Sequence, residues 1–184
     1  MKIKGLVLLA RREFVKEHVG EEAWEKVVKA LPAQDQQELN YILATKWYSF
    51  ETGKRLDRAI VNVLGKGKAG FFEEIGAESA RRSLAKEHKL FLTPGDPQAF
   101  MKKASTIYKF YYDTGYRTYE QTGPHSGVMT TFEAETFSAP DCLTVIGWYK
   151  EALKLCGAKR VQVVEEECRA RGDSCCRYRL QWEI

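Results

Sequence analysis

PDCLTVIGWYKEALKLCGAKRVQVVEEECRARGDSCCRYRLQWEI, residues 140–184, holds all five cysteines of the chain, and its reading decides the rest. It parses as an amphipathic helix followed by two strands. Val145, Ile146, Tyr149, Leu153 and Cys156 recur at helical spacing, and Cys142, at the start of the helix, shares their stripe, which predicts an inward thiol. In the closing strand Cys176, Tyr178, Leu180, Trp182 and Ile184 alternate with Cys175, Arg177, Arg179, Gln181 and Glu183. That parity puts Cys176 on the core face and Cys175 on the solvated one. KRVQVVEEEC reads as the partner strand ending at Cys168, with Gly172-Asp173 as the turn. A return of this kind brings Glu165 and Cys168 beside the start of the last strand, with Cys142 arriving from the helix. Three thiols and a carboxylate at one point suit a tetrahedral zinc ion. From spacing alone, ordinary buried cysteines and a solvated acidic strand end at Glu165 to Glu167 are the plainer account, because no Cys-x-x-Cys pair is present.

Upstream, the periodic residues Leu9, Phe14, Val15, Val19, Trp24, Val27, Val28 and Leu31 predict two helices broken at Gly20, the second stopped by Pro32. A short helix over 34–44 follows, and Trp47-Tyr48-Ser49-Phe50 leads into an amphipathic run carrying Leu56, Ile60, Val63 and Leu64. GKGKAG, residues 65–70, lacks the Walker pattern and reads as a plain loop. Residues 71–88 form a helix with Phe71, Phe72, Ile75 and Leu84 inward. Asp96-Pro97 caps a long helix whose stripe, Phe100, Ala104, Ile107, Tyr108 and Tyr111, runs up to Gly115. Strands over 116–121 and 128–137, linked by TGPHSG, form a hairpin. The predicted fold class is therefore α+β: a helical N-terminal half packed on a four-stranded antiparallel sheet in the order strand, strand, helix, strand, strand.

At 184 residues the chain fits a single domain spanning 1–184, long enough to bury a substantial core without a metal. With 44% hydrophobic and 29% charged residues it has the composition of a globular protein. A formal charge of +4, with acids interspersed among the bases, gives no stripe for nucleic acid. Five cysteines without a secretory signal predict a reducing, cytoplasmic setting, and the apolar run at 5–10 is too short for a membrane span.

The pattern Cys142, Gly147, Glu165, Cys168, Gly172-Asp173 and Cys176 resembles the C-terminal half of the vinyl-reductase-type small-molecule-binding domain. That domain is the sensor module of aromatic-responsive bacterial activators, in a superfamily shared with heme nitric-oxide-binding domains and TRAPP transport-particle subunits. The resemblance implies a structural zinc ion on Cys142, Glu165, Cys168 and Cys176, and gives no role to Cys156 or Cys175. The opening FVKEHVGEEAWEKVV is similar to the first helices of the heme-binding branch. Trp47-Tyr48, Gly147-Trp148 and the closing Cys-x-x-x-Gly-Asp are similar to an uncharacterised bacterial branch.

In that superfamily the heme ligand lies on the helix before the hairpin, followed by Tyr-x-Ser-x-Arg. Here that helix has no histidine, and Tyr116-Arg117-Thr118-Tyr119-Glu120 departs from the signature, so heme is not expected. His18, His88 and His125 read as exposed or capping residues. Trp47, Tyr48, Phe72, Phe91, Tyr108, Tyr111 and Tyr112 could line a pocket for an apolar or aromatic ligand; core packing accounts for them equally well. A reactive Cys175 beside Arg171, Arg177 and Arg179 would be an enzyme's feature, but a functionless surface thiol is the simpler reading. The resemblance implies a non-enzymatic binding or sensing domain that pairs as a homodimer. The rivals are an interaction scaffold without ligand and a heme-based gas sensor.

Overall fold

The computed structural model describes residues 2–135 and 138–184. The chain opens with strand β1 (Lys2–Lys4), helices α1 (Gly5–His18), α2 (Glu21–Lys29) and α3 (Ala33–Asn40), strand β2 (Trp47–Ser49) and helix α4 (Phe50–Val63). Helices α5 (Phe72–Ala85), α6 (Pro97–Ala104) and α7 (Tyr108–Tyr111) follow. The hairpin β3 (Tyr116–Gly123) and β4 (Ser126–Phe132), helix α8 (Ala139–Leu155) and strands β5 (Lys159–Glu167) and β6 (Cys176–Glu183) complete it. The four long strands form one antiparallel sheet in the order β3-β4-β6-β5. The fold class is thus α+β, helices first and sheet last. The short ribbon β1-β2 was not foreseen from the sequence, its three-residue strands being too short to show a period.

Capping sets the helix starts. Ser138 Oγ accepts from the Asp141 amide at 3.2 Å, so α8 begins at Ala139 and Cys142 lies one turn inside it, not at its start. Asp96 Oδ1 caps α6 through the Ala99 amide at 2.9 Å, as expected. The long helix predicted from there to Gly115 is instead broken, with a 3-10 turn over Ser105–Ile107 between α6 and α7. Thr106 Oγ1 donates to the Lys103 carbonyl at 2.7 Å, the back-bonding that tightens and bends a helix. The hairpin strand predicted to run to 137 ends at Phe132; residues 136 and 137 lie outside the described residues.

One hydrophobic cluster joins α1, α2 and α4 to Phe72, Ile75, Tyr108 and Tyr112. A second joins α6, α8 and the sheet. Tyr111 and Leu143 touch both. Along β6 the predicted alternation holds for Cys176, Tyr178, Leu180 and Trp182, all buried, whereas Ile184, past the strand end, is 58% exposed.

α5 and α8 make the most extensive contact between two elements. Two glycines let them touch backbone to backbone: a Cβ on Gly147 would lie 1.8 Å from the Glu73 carbonyl oxygen, and one on Gly76 2.0 Å from that of Thr144. Gly147→Ala must therefore push the helices apart. The expected loss is about 3 kcal/mol or more, beyond the ~1 kcal/mol gained in helix propensity. Unfolding both variants in urea checks this: Gly70→Ala, where a Cβ meets nothing within 4 Å, is the control and should leave the midpoint unchanged.

Candidate metal centre and inner cavity

The two sequence-predicted sites rest on the two faces of α8's first turns. Cys142 enters from that helix, Glu165 and Cys168 from the end of β5, and Cys176 from the first residue of β6. A β-bulge decides the convergence. Glu165 pairs with Tyr178 but Glu167 pairs with Arg177, so one extra residue sits in β5 between them. Regular alternation would place Glu165 and Cys168 on opposite faces; the bulge returns Cys168 to the inner face.

One ligand atom from each of Cys142, Glu165, Cys168 and Cys176 lies within 4.8 Å of every other. The Cys142 Sγ is 3.6 Å from that of Cys168 and 4.0 Å from that of Cys176. Sulfurs about 2.3 Å from a tetrahedral zinc would stand about 3.8 Å apart, whereas a disulfide needs about 2.05 Å. All five cysteines are free. Glu165 Oε2 accepts from Arg171 Nη1 at 2.8 Å, while its Oε1 is buried with no hydrogen-bond partner. A buried carboxylate oxygen left open among three thiols is the donor set a borderline-soft cation would complete, so these residues fit zinc.

The surrounding loop holds the ligands in place. Asp173 Oδ2 accepts from the Cys168 amide at 2.7 Å, Gly172 takes the left-handed φ of 100°, and the Arg169 amide donates to Cys176 Sγ at 3.4 Å. Contact with the Cys142 thiol draws Cys176 down to about 7 and lowers Cys168 as well. Cys142 itself is raised by those two sulfurs and by burial.

Cys175 points away from this cluster, in keeping with its strand parity, yet it is not on a solvated face: it is 3% exposed. Its Sγ donates to Glu167 Oε2 at 3.1 Å, and Arg177 closes over the same carboxylate. Burial and Glu167 raise this thiol, the reverse of the activation that nearby arginines suggest. Cys156 is fully buried in the second core cluster.

Of the seven aromatic residues predicted to line a pocket, Tyr108, Tyr111 and Tyr112 border a cavity of about 60 Å³ between the helical half and the sheet. The other four lie elsewhere. Lys4 sits over the Trp47 ring at 3.9 Å, and the Tyr48 hydroxyl accepts from the Leu43 amide at 2.9 Å. Phe72 is packed in the core beneath Arg11, and Phe91 packs on His88 and Phe110. His88, expected at the surface, is 3% exposed; its Nε2 meets the Tyr111 hydroxyl at 3.0 Å, its Nδ1 has no partner, and burial lowers its pKa.

The cavity's polar walls escaped the sequence reading. Arg11 on α1 binds Asp57 on α4 at 3.0 Å and Asp141 on α8 at 3.0 Å, all three buried. Tyr112 donates its hydroxyl to Asp141 Oδ2 at 2.9 Å. Burial alone would lower Arg11, yet the two carboxylates together hold it above its usual range, and burial raises Asp57 against the pull of Arg11. Opposite stands Arg117 on β3, its Nε donating to Thr131 Oγ1 at 2.8 Å and its Nη1 to the Tyr149 hydroxyl at 3.3 Å. It lies over the rings of Tyr108 and Tyr149 at 4.8 and 5.6 Å. A signal did exist for Arg11, which interrupts the apolar stripe Val7, Leu8, Phe14 and Val15.

The fold is that of H-NOX domains. An H-NOX protein from K. algicida, in its Fe(II) unliganded state, superposes with TM-score 0.71 at 11% identity, covering 98% of this chain and 97% of that one. One from S. oneidensis in the Fe(II)NO state gives 0.70 at 13% identity, covering 98% and 99%. No curated protein matches the sequence. The family match spans residues 80–183: the chain belongs to the family described as Protein of unknown function (DUF2378).

The fold neighbours raise the question of heme, and the residues here do not fit one. The seam is filled by Arg11, Tyr112, Arg117 and Tyr149, with Asp141 behind the first two, leaving about 60 Å³, against the ~300 Å³ or more typical of organic-ligand pockets. None of the three histidines borders the cavity, and α6 and α7 carry none. The tyrosine hydroxyls on the seam are already engaged: Tyr108 with the Thr114 carbonyl at 2.8 Å, Tyr112 with Asp141, Tyr149 with Arg117.

Proposed function

We propose that this chain is a non-enzymatic small-molecule-binding domain, close in kind to the vinyl-reductase-type modules it resembles, with its C-terminal corner clamped by a structural zinc ion. The inner cavity carries the ligand reading, because it is lined by apolar side chains together with a few polar ones, Arg11, Tyr112, Arg117 and Tyr149, the make-up of a small-molecule site. The sulfur spacing and the open Glu165 oxygen support zinc on Cys142, Glu165, Cys168 and Cys176. Four protein ligands leave no open metal position, which supports a structural and not a catalytic ion. Ligand and metal are neighbours through one helical turn, since Asp141 serves the cavity network and Cys142 the metal. We read residues 1–184 as one such domain. Among the described residues, no helix is long and apolar enough to cross a membrane.

Native mass spectrometry of the purified protein tests this reading. We expect one zinc ion per chain, a small ligand adduct that leaves on activation, and a dimeric mass if copies pair as such folds do. Protein that carries no zinc and takes up no small molecule would favour the scaffold reading. A Soret band would restore heme.

A further inference from the structure

We propose that the inner cavity receives a small monocarboxylate, bound by Arg117 and the Trp148 indole; this rests on reading the cavity as the ligand site. Buried donors in folded proteins are almost always paired. Trp148 lines the cavity, and its Nε1–H is buried with no acceptor. Arg117 lines it too and has five N–H groups to satisfy, of which Thr131 and Tyr149 take two. Its partners among the described residues are the hydroxyls of Thr131 and Tyr149 and the rings of Tyr108 and Tyr149, with no carboxylate among them.

The contrast with Arg11, on the other wall, excludes a charge network closed on itself. Asp57 receives Arg11 through both oxygens, and Asp141 is shared by Arg11 and Tyr112. Both acids are occupied on the far side. What remains facing the cavity is a guanidinium without a counter-ion and an indole N–H without an acceptor. The buried indole N–H is costly to leave without an acceptor, and the half-buried guanidinium beside it, stacked on Tyr108 and Tyr149 but with no counter-ion, favours an acceptor that is negative. A planar carboxylate meets the fork of an arginine with two parallel hydrogen bonds and has a lone pair left for the indole.

Size and lining set the remainder of the molecule. About 60 Å³ admits only a few heavy atoms, and Ile75, Ile107 and Val145 offer an apolar end for a short tail. A groove of about 170 Å³ between α1 and α5 shares the walls Ser79 and Tyr111 with the cavity, with Arg82 and Lys86 at its lip. Glu13 and Glu87 line the same groove and Arg82 is paired with Glu17 and Glu78, so the groove offers a way in without a net charge that steers an anion.

The test titrates the full chain with acetate and propionate, and in parallel with acetamide and propionamide, at constant ionic strength set by chloride. Thermal midpoint and tryptophan fluorescence are the readouts. The carboxylates should raise the midpoint and change the emission, while the amides should do neither. Arg117→Gln should weaken carboxylate binding by roughly ten- to a hundredfold, the worth of a charge-assisted pair. Trp148→Phe should weaken it less and abolish the fluorescence change. Should Arg117→Gln not fold, Arg117→Lys, which keeps the charge but loses the fork, should still bind carboxylate, more weakly than the parent. Equal effects of amides and carboxylates, or carboxylate affinity untouched by Arg117→Gln, would overturn the proposal and leave the cavity as a ligand site. Silence from both carboxylates in the unaltered protein would likewise overturn it, while the ligand reading itself stands or falls on the native mass spectrum.

Discussion

Arg11→Met is expected to cost about 3–5 kcal/mol of stability, because it strands the buried carboxylates of Asp57 and Asp141 without the guanidinium they share. The side chain itself is not the main loss, since methionine keeps most of its apolar stem and its contact with Phe72. What is lost is compensation of charge, in a place where water cannot substitute. The double variant Arg11→Met, Asp57→Leu should therefore be more stable than Arg11→Met alone, although it removes one more native group. Urea unfolding checks this: the midpoint should fall steeply in the single variant and partly recover in the double one, with an unchanged slope. A midpoint that drops further in the double variant would mean that Asp57 is held by something other than Arg11.

Cys176→Ala is expected to release zinc and, with it, the stability that metal binding adds, about 4 kcal/mol where free zinc exceeds its dissociation constant a thousandfold. Cys175→Ala is expected to keep the ion. It is not silent, because its buried thiol is bonded to Glu167, but its loss should stay near the ~1 kcal/mol of a single neutral hydrogen bond. Chelation separates the two. Stripping metal should lower the melting temperature of the parent protein and of Cys175→Ala by similar amounts and leave Cys176→Ala where it already is. If both variants hold zinc, or both lose it, the assignment of Cys176 as ligand fails. The helical half, with its own hydrophobic cluster, should keep its secondary structure in all three.

Much of the fold was legible from periodicity. The stripe of α8, the alternation of β6 and the caps at Asp96 and Gly20 are local signals, each written within a few residues by steric and hydrogen-bonding rules that need no partner. Cys142 and Cys176 could be phased inward on that ground alone. The failures are equally local in origin. The helix expected from Pro97 to Gly115 breaks at Ser105–Ile107, where Thr106 turns back on its own backbone, and that break sends Tyr108, Tyr111 and Tyr112 to the seam. Trp47, Tyr48, Phe72 and Phe91 had the same aromatic character but no such placement, since aromaticity says that a side chain will be buried and not against what.

By itself, then, the sequence determined most of the helices, the four long strands and which side of most of them turns inward, because those are decided by neighbours one to four residues away. The three-residue strands β1 and β2 and the break at Ser105–Ile107 were not among them. Tertiary structure alone decided the rest. A bulge at Glu166 brings Glu165 and Cys168 to one face, two glycines let α5 and α8 meet, and residues 46 and 130 apart from Arg11 gather on its guanidinium. Such meetings depend on how whole elements pack, and no short window of residues records the free energy that selects one packing over another.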